Sequence, residues 1–284
     1  MTHIAIPDIA LREGGSIPQF GIGTYQVAPA ETVATVRSAL EIGIRHIDTA
    51  QMYGNEAEVG RAIAESGIAR DDMFLTTKLN NGNHAPDDAR RSFERSLRDL
   101  RTDYVDLFLI HWPLPTRYGG DFVTTWRVLT EFAADGRARH IGVSNFQIPH
   151  LRRLIDEVGV VPEINQIEAH PYLPNNDVRD FGAGHGILTQ AWSPLARGAI
   201  LDDPQVRALA EDLGRTPAQV VLRWAIERGD VIFPKSVHPE RQLENLSIFD
   251  FSLPPTAREV LDGLDRGEAG RQGSHPDTMD LITR

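Results

Sequence analysis

The sequence contains no cysteine. Disulfide staples, thiolate metal sites and a cysteine nucleophile are therefore excluded. It also lacks an excess of positive charge: 29 lysines and arginines stand against 40 aspartates and glutamates, a formal net charge of -11. A nucleic-acid binder needs a basic face, and so does a protein that docks on anionic membrane, so neither partner is expected. An anionic cofactor would need a local basic patch. No apolar stretch approaches the length of a membrane span. The segment Met1 to Gly15 has no basic stretch followed by a long apolar run, so it does not read as a secretory signal. These absences predict a soluble, cytoplasmic protein, expected to act as a monomer on small molecules.

What is present is a regular alternation. Short apolar runs occupy Phe20–Thr24, Ile44–Asp48, Met73–Lys78, Val105–His111, Ala138–Ser144, Ile164–Glu168, Ile187–Trp192 and Val231–Pro234. Near-continuous runs rich in branched residues fit strands buried on both faces of a parallel sheet. The segments between them read as helices. In Pro86–Leu100, Phe93, Leu97 and Leu100 share one face. Asp203-Pro204, Thr216-Pro217 and His238-Pro239 read as helix starts, and Gly136, Gly214 and Gly229 as helix ends. Ile9–Pro18 reads as a hairpin turning at Glu13-Gly14-Gly15.

Eight βα units imply an α/β fold of the (β/α)8 type, a TIM barrel. A chain of 284 residues fits one such domain, 1-284, because barrels run to roughly 250 residues as a unit. The rival is a doubly wound Rossmann sheet, marked by G-x-G-x-x-G. Here Gly21 and Gly23 are followed by Gln26 where the third glycine belongs, and the rival falls.

Barrel enzymes carry their chemistry at the C-terminal ends of strands. Three consecutive strand candidates end in an ionisable residue: Asp48, Lys78 and His111. One such residue alone is most often an ordinary rim group satisfied by solvent; three in a row, each closing an apolar run, are not. Tyr53 lies five residues past Asp48, in the loop leaving that strand. A free tyrosine has a pKa near ~10, and a neighbouring ammonium is expected to lower it. Asp48 would orient Lys78, and His111 would aim a ring N–H at a substrate oxygen.

These residues sit in recognisable motifs. Gly43-Ile44-Arg45-His46-Ile47-Asp48-Thr49-Ala50, followed by Tyr53-Gly54-Asn55-Glu56, resembles the first signature of the aldo-keto reductases. Gly142-Val143-Ser144-Asn145-Phe146 resembles the second, and Pro234-Lys235-Ser236 with Arg241 and Glu244-Asn245 the third. His111-Trp112-Pro113 and Ser193-Pro194-Leu195 also fit. The resemblance runs from Phe20 to about Asp265 and is greatest to the prokaryotic 2,5-diketo-D-gluconate reductase group. Ile44, Phe233 and His140 depart from the usual pattern, and none belongs to the tetrad.

The resemblance implies NADPH-dependent reduction of aldehydes and ketones, diketones and keto-sugars among them, by a tetrad of Tyr53, Asp48, Lys78 and His111, with Tyr53 as proton donor and no metal. It places Ser144, Asn145 and Gln166 on the nicotinamide carboxamide and Trp192 under the ring. Lys235, Ser236 and Arg241 would take the adenosine 2′-phosphate of NADP(H). Gly23, Thr24, Tyr25, Asp48, Ser193, Leu195, Pro234, Val237, Glu244 and Asn245 complete the cofactor seat. The substrate pocket is expected to comprise Tyr25, Gln51, Tyr53, His111 and Trp112. The tail after Arg266 carries Met279, Leu281 and Ile282, and is expected to be irregular and to fold over the rim near Trp112. His170-Pro171-Tyr172 lacks metal-ligand spacing, so His170 reads as structural. Two other classes compete: a barrel that binds NADPH for regulation with little turnover, and a metal-dependent hydrolase using Asp48 and His111. The first would be favoured by a missing tetrad member, and the second needs further clustered ligands that the sequence does not offer.

Overall fold

Alternating apolar runs and amphipathic helices produce one closed parallel sheet wrapped by helices. The computed structural model describes residues 4–282. Met1 to His3 of the N-terminal segment, and Thr283 and Arg284 of the tail, lie outside the described residues. The hairpin forms from β1 (Asp8–Ala10) and β2 (Ser16–Pro18), paired antiparallel. The barrel strands follow: β3 (Gly21–Gly23), β4 (His46–Asp48), β5 (Phe74–Leu79), β6 (Val105–Ile110), β7 (Ala138–Ser144), β8 (Ile164–Glu168), β9 (Leu188–Trp192) and β10 (Val231–Ile232).

These eight strands pair in chain order, all in parallel. A parallel bridge from Phe20 to Ile232 brings the ends together, and the Ile232 amide donates to the Gln19 carbonyl at 3.0 Å. The first and last strands are shorter than their apolar runs, because closure there uses isolated bonds rather than a full ladder.

Helices α1 (Pro29–Glu41), α2 (Glu56–Glu65), α3 (Pro86–Leu100), α4 (Val123–Ala134), α5 (Ile148–Val158) and α6 (Asn176–Gly184) connect successive strands. Two helices, α7 (Pro204–Leu213) and α8 (Pro217–Glu227), connect β9 to β10, and α9 (Pro239–Leu246) and α10 (Pro255–Asp262) follow. On α3, Phe93, Leu97 and Leu100 are all buried. Asp203 caps α7 by accepting from the Gln205 and Val206 amides, and Thr216 forms a capping box with Gln219. Gly136, Gly214 and Gly229 each adopt positive φ after a helix, where a side chain would be strained. At His238 no side-chain cap forms; its own amide donates to Ser236 Oγ instead. The last helix is displaced from the Thr256–Asp265 read in the sequence: it starts at Pro255, where proline fits the first turn, and stops before Gly263.

The hairpin seals the lower end of the barrel. Leu11 and Ile17 pack with Phe74, Ile164 and Val231, the first residues of β5, β8 and β10. The opposite rim, where the strands end, is left open for the site.

Candidate active site

Asp48 closes β4, Lys78 lies at the end of β5, and His111 directly follows β6. Adjacent parallel strands bring these ends side by side. Tyr53 joins them from a 3-10 turn, Gln51–Tyr53, whose last amide donates to Ala50 O at 3.0 Å and which Gly54 stops at φ 67. Buried Asn55 fixes this loop by donating to the Thr24 and Val27 carbonyls at 3.0 and 3.1 Å.

Lys78 is 0% exposed. An ammonium has three protons to give, and here all have acceptors: Asp48 Oδ1 at 2.6 Å, the Thr49 carbonyl at 2.9 Å and the Tyr53 hydroxyl oxygen at 3.3 Å. The second Asp48 oxygen accepts from Gln166 Nε2 at 2.8 Å. Burial pushes the Asp48 carboxyl up and the Lys78 ammonium down; their mutual attraction opposes both shifts.

Burial, with Asp48 and Tyr25 adding to it, holds the Tyr53 phenol well above its ordinary value. This corrects the expectation that Lys78 would lower it. The charge on Lys78 is already matched by Asp48, so the cost of placing a phenolate in a dry site decides the direction. Burial, reinforced by Lys78, pushes the His111 imidazole well below its usual range, so it is neutral. The Tyr53 and His111 rings stand edge to face, 5.7 Å apart.

A cavity of about 590 Å³ opens above these groups. Gly23, Tyr25, Asp48, Tyr53, His111, Trp112, Ser144, Asn145, Gln166, Trp192, Ser193, Leu195, Pro234, Lys235 and Arg241 line it, so most of the residues expected from sequence meet there. At Gly23 an added Cβ would meet the Phe233 carbonyl at 2.8 Å, so only glycine lets β3 run this close. Thr24 sits behind the wall, donating to the Asp48 carbonyl. Ser236, Val237, Glu244 and Asn245 do not line the cavity. Ser236 Oγ accepts from the His238 amide, and Glu244 accepts from Thr216 Oγ1 at 2.8 Å.

Gln51 departs from its expected place. Its amide donates to Ser96 Oγ and accepts from the Asn80 amide and Asn83 Nδ2, which turns it toward α3. The neighbouring Met52 lines the cavity instead, with Gln26, Arg197, Phe233, Gly273, Ser274, Met279 and Leu281. Sequence reasoning missed Gln26, Met52 and Arg197. No spacing marked them, though Arg197 follows the Ser193-Pro194-Leu195 motif closely. The tail is irregular apart from one 3-10 turn, Gly267–Gly270, and does fold over the rim beside Trp112.

The amide side chains on the cavity wall are mostly committed. Gln166 Nε2 gives its protons to Asp48 and to Gln190 Oε1, leaving its carbonyl oxygen without a partner among the described residues. Asn145, at φ 65, donates to the His111 carbonyl and Ser144 Oγ and accepts from Trp192 Nε1 at 2.8 Å. His170 pairs with Glu168 at 3.0 Å, both fully buried side chains, and stays outside the cavity.

A parallel barrel whose rim joins a buried lysine–carboxylate pair to a tyrosine and a neutral histidine belongs to the class of barrel oxidoreductases acting on carbonyl groups. Comparison with known proteins narrows this. The aldo/keto reductase family profile matches residues 17–266. An aldo-keto reductase of Mycolicibacterium smegmatis is 47% identical over 275 residues, covering 97% of this chain and 98% of the relative. The methylglyoxal reductase DkgA of Escherichia coli is 42% identical over 271 residues, 95% of this chain and 96% of its own length. A solved structure of an aspartate-to-alanine variant of Gox0644 in complex with NADPH has a TM-score of 0.93 at 41% identity, covering 98% of this chain and 100% of that one. The chain belongs to the aldo/keto reductase family, enzymes that reduce aldehydes and ketones to alcohols.

Proposed function

We propose that this chain, working as one domain and as a soluble cytoplasmic monomer, reduces small aldehydes, ketones and dicarbonyls with NADPH, and that Tyr53 is the proton donor. The carrying observation is the bond from Lys78 Nζ to the Tyr53 oxygen at 3.3 Å. It occupies a lone pair of the phenol and leaves the phenol's own O–H free to point into the cavity.

The residues fit a phosphorylated dinucleotide. The unpartnered oxygen of Gln166 suits a carboxamide N–H, and the Trp192 indole, fixed through Asn145, suits a flat ring. Arg197, Lys235 and Arg241 line the same cavity without an ion pair among the described residues, an unusual concession in a chain of net charge -11. Lys235 and Arg241 would hold the 2′-phosphate. When bound, NADPH supplies the hydride from C4 of its nicotinamide.

The protein's own part is proton transfer and charge. Nδ1 of His111 is buried with no hydrogen-bond partner among the described residues. A neutral ring carrying its proton on Nε2 avoids a stranded donor and presents an N–H toward the carbonyl oxygen. Tyr53 gives its proton to that oxygen as negative charge develops, and Lys78 then steadies the phenolate left behind. Asp48 and Gln166 keep Lys78 charged and aimed. A phenol held above its ordinary value stays protonated at neutral pH, which suits the reductive direction.

At the reaction end, Tyr25, Met52, Trp112, Met279 and Leu281 present aromatic and apolar surface. That lining suits an uncharged carbonyl, and a 42% identical relative is named a methylglyoxal reductase. The test is loss of NADPH absorbance with methylglyoxal and a panel of aldehydes, ketones and diketones, with and without chelator. Turnover insensitive to chelator is expected. No turnover with tight NADPH binding would favour a regulatory role, and loss of turnover on chelation would favour a metal enzyme.

A further inference from the structure

The tail does not merely lie on the rim; it is fastened by one buried carboxylate. Glu168 ends β8 and is 1% exposed. Its Oε1 accepts from the Gln272 amide at 2.6 Å and its Oε2 from the Gly273 amide at 3.0 Å. His170 Nε2 lies 3.0 Å from Oε1, and Arg271 Nη1 lies 3.9 Å from Oε2. One carboxylate thus grips two consecutive backbone amides of a segment 104 residues further along the chain.

Two glycines make this approach feasible through space alone. A Cβ on Gly270 would fall 1.9 Å from the Tyr172 carbonyl. A Cβ on Gly273 would fall 2.4 Å from Trp192 Cη2 and 3.2 Å from Glu168 Oε2. The fastened stretch therefore lies against the indole that lines the cavity. Beyond it the chain supplies Ser274, Met279 and Leu281 to the cavity wall.

The far part of the tail is held more loosely. Asn81 Nδ2 donates to the Leu281 carbonyl at 2.8 Å, Arg117 pairs with Asp280 at 3.1 Å, and His150 meets Asp277 at 3.4 Å. Arg117, Asp277 and Asp280 are largely exposed, so water and salt compete for those contacts. Water is excluded from Glu168. Burial alone would raise its carboxyl, but His170 and the Gln272 and Gly273 amides outweigh burial and hold it below the usual glutamate range.

We propose that Glu168 is a positioning residue that sets substrate selection: by clamping the Gln272 and Gly273 amides it fixes where Met279 and Leu281 stand over the reacting carbonyl. The proposal rests on the reading of the cavity as a carbonyl-reducing site. Glu168 does not touch the reacting atoms, so its effect should differ between substrates that reach the tail and those that do not.

The test uses the full chain. Hydrogen exchange on the wild-type protein should show slow exchange at Gln272 and Gly273 and faster exchange toward Leu281. Glu168→Gln keeps one acceptor oxygen and places an NH2 against an amide donor. Relative to wild type it should change the ratio of kcat/KM for 2-naphthaldehyde over methylglyoxal by about five-fold or more, as expected from losing one charge-assisted bond. It should also speed exchange at both amides and leave the NADPH Kd within about two-fold. Glu168→Asp should fall between the two. An unchanged ratio, equal losses with both substrates, or rapid exchange at both amides in the wild type would overturn the proposal. So would failure of both variants to fold, which would make Glu168 a framework residue. Absence of turnover in the wild type with slow tail exchange would sink the functional reading and leave the clamp itself in place.

Discussion

The two ends of the cavity handle charge in opposite ways. At the reaction end, Lys78 and Asp48 are buried, all three ammonium protons are matched, and His111 is neutral. At the other end Lys235 and Arg241 are exposed and have no acidic partner among the described residues. The first arrangement is a closed circuit in which each charge is already answered, so it can orient a proton but cannot hold an added anion. The second is open by design of the sequence and answers only to something that arrives. A reductase needs both: a dry end for the reacting carbonyl, and a wet, basic end that holds a soluble nucleotide.

The largest effect expected from breaking this contrast lies in the closed end. Lys78→Met removes the partner of a buried carboxylate. Breaking a buried pair costs about 3–5 kcal/mol, and turnover should fall by a factor on the order of 10² to 10⁴. Urea unfolding and steady-state rates on one preparation check both. A loss of turnover with undiminished stability would show that Asp48 does not depend on Lys78.

In the open end the effects should be on binding. Arg241→Ala should weaken NADPH about ten-fold or more, because a charge-assisted contact to phosphate is worth roughly 1.5–3 kcal/mol. NADH lacks that phosphate and should be affected much less. Arg197 stands on a different segment, after β9, and Arg197→Ala should weaken both dinucleotides to a similar, smaller degree. Titrations of each cofactor against each variant distinguish the two cations. Equal weakening of both cofactors by Arg241→Ala would contradict the phosphate assignment.

A smaller effect sharpens the boundary of the closed end. Glu56, beneath the tetrad, binds Thr77 Oγ1 at 2.6 Å and Ser96 Oγ at 3.1 Å. Burial raises its carboxyl to about 7. Because the folded value is the higher one, its contribution to stability is present at low pH and is lost as pH rises through about 7. Relative to wild type, Glu56→Gln should therefore gain stability between about pH 4.5 and about pH 7, by up to roughly 3 kcal/mol. Urea midpoints of the two proteins at each pH test this; a difference independent of pH would refute it.

The fold was largely legible because buried parallel strands must be apolar throughout: seven of the eight apolar runs contain a barrel strand, and the eighth, Met73–Lys78, covers all of β5 but its last residue, Leu79. Their ends were less legible. Gly43, at φ 101, turns the chain before β4, and Ile44 and Arg45 precede the strand although Ile44 belongs to the apolar run. The grouping of Asp48, Lys78 and His111 was visible for a similar reason: three consecutive apolar runs each close on an ionisable residue, and a barrel brings neighbouring strand ends to one rim. Gln51 misled because a polar residue two positions before Tyr53 carries no sign of which way it faces, and three partners around α3 claim it. The direction of the Tyr53 shift was misjudged because residue types reveal neighbours but not how far a third group has already neutralised one of them. Glu168 also closes an apolar run, but what it holds was hidden, since its partners are backbone amides far along the chain.

The central claim is that proton transfer and nucleotide binding are separate jobs at separate ends of one cavity. Tyr53→Phe tests it most directly, with steady-state reduction and NADPH fluorescence quenching measured on the same sample. The account predicts turnover below a few per cent of wild type and an NADPH Kd nearly unchanged, because the phenyl ring keeps its place and only the proton is removed. Substantial turnover, or a loss of NADPH affinity as large as the loss of rate, would contradict it.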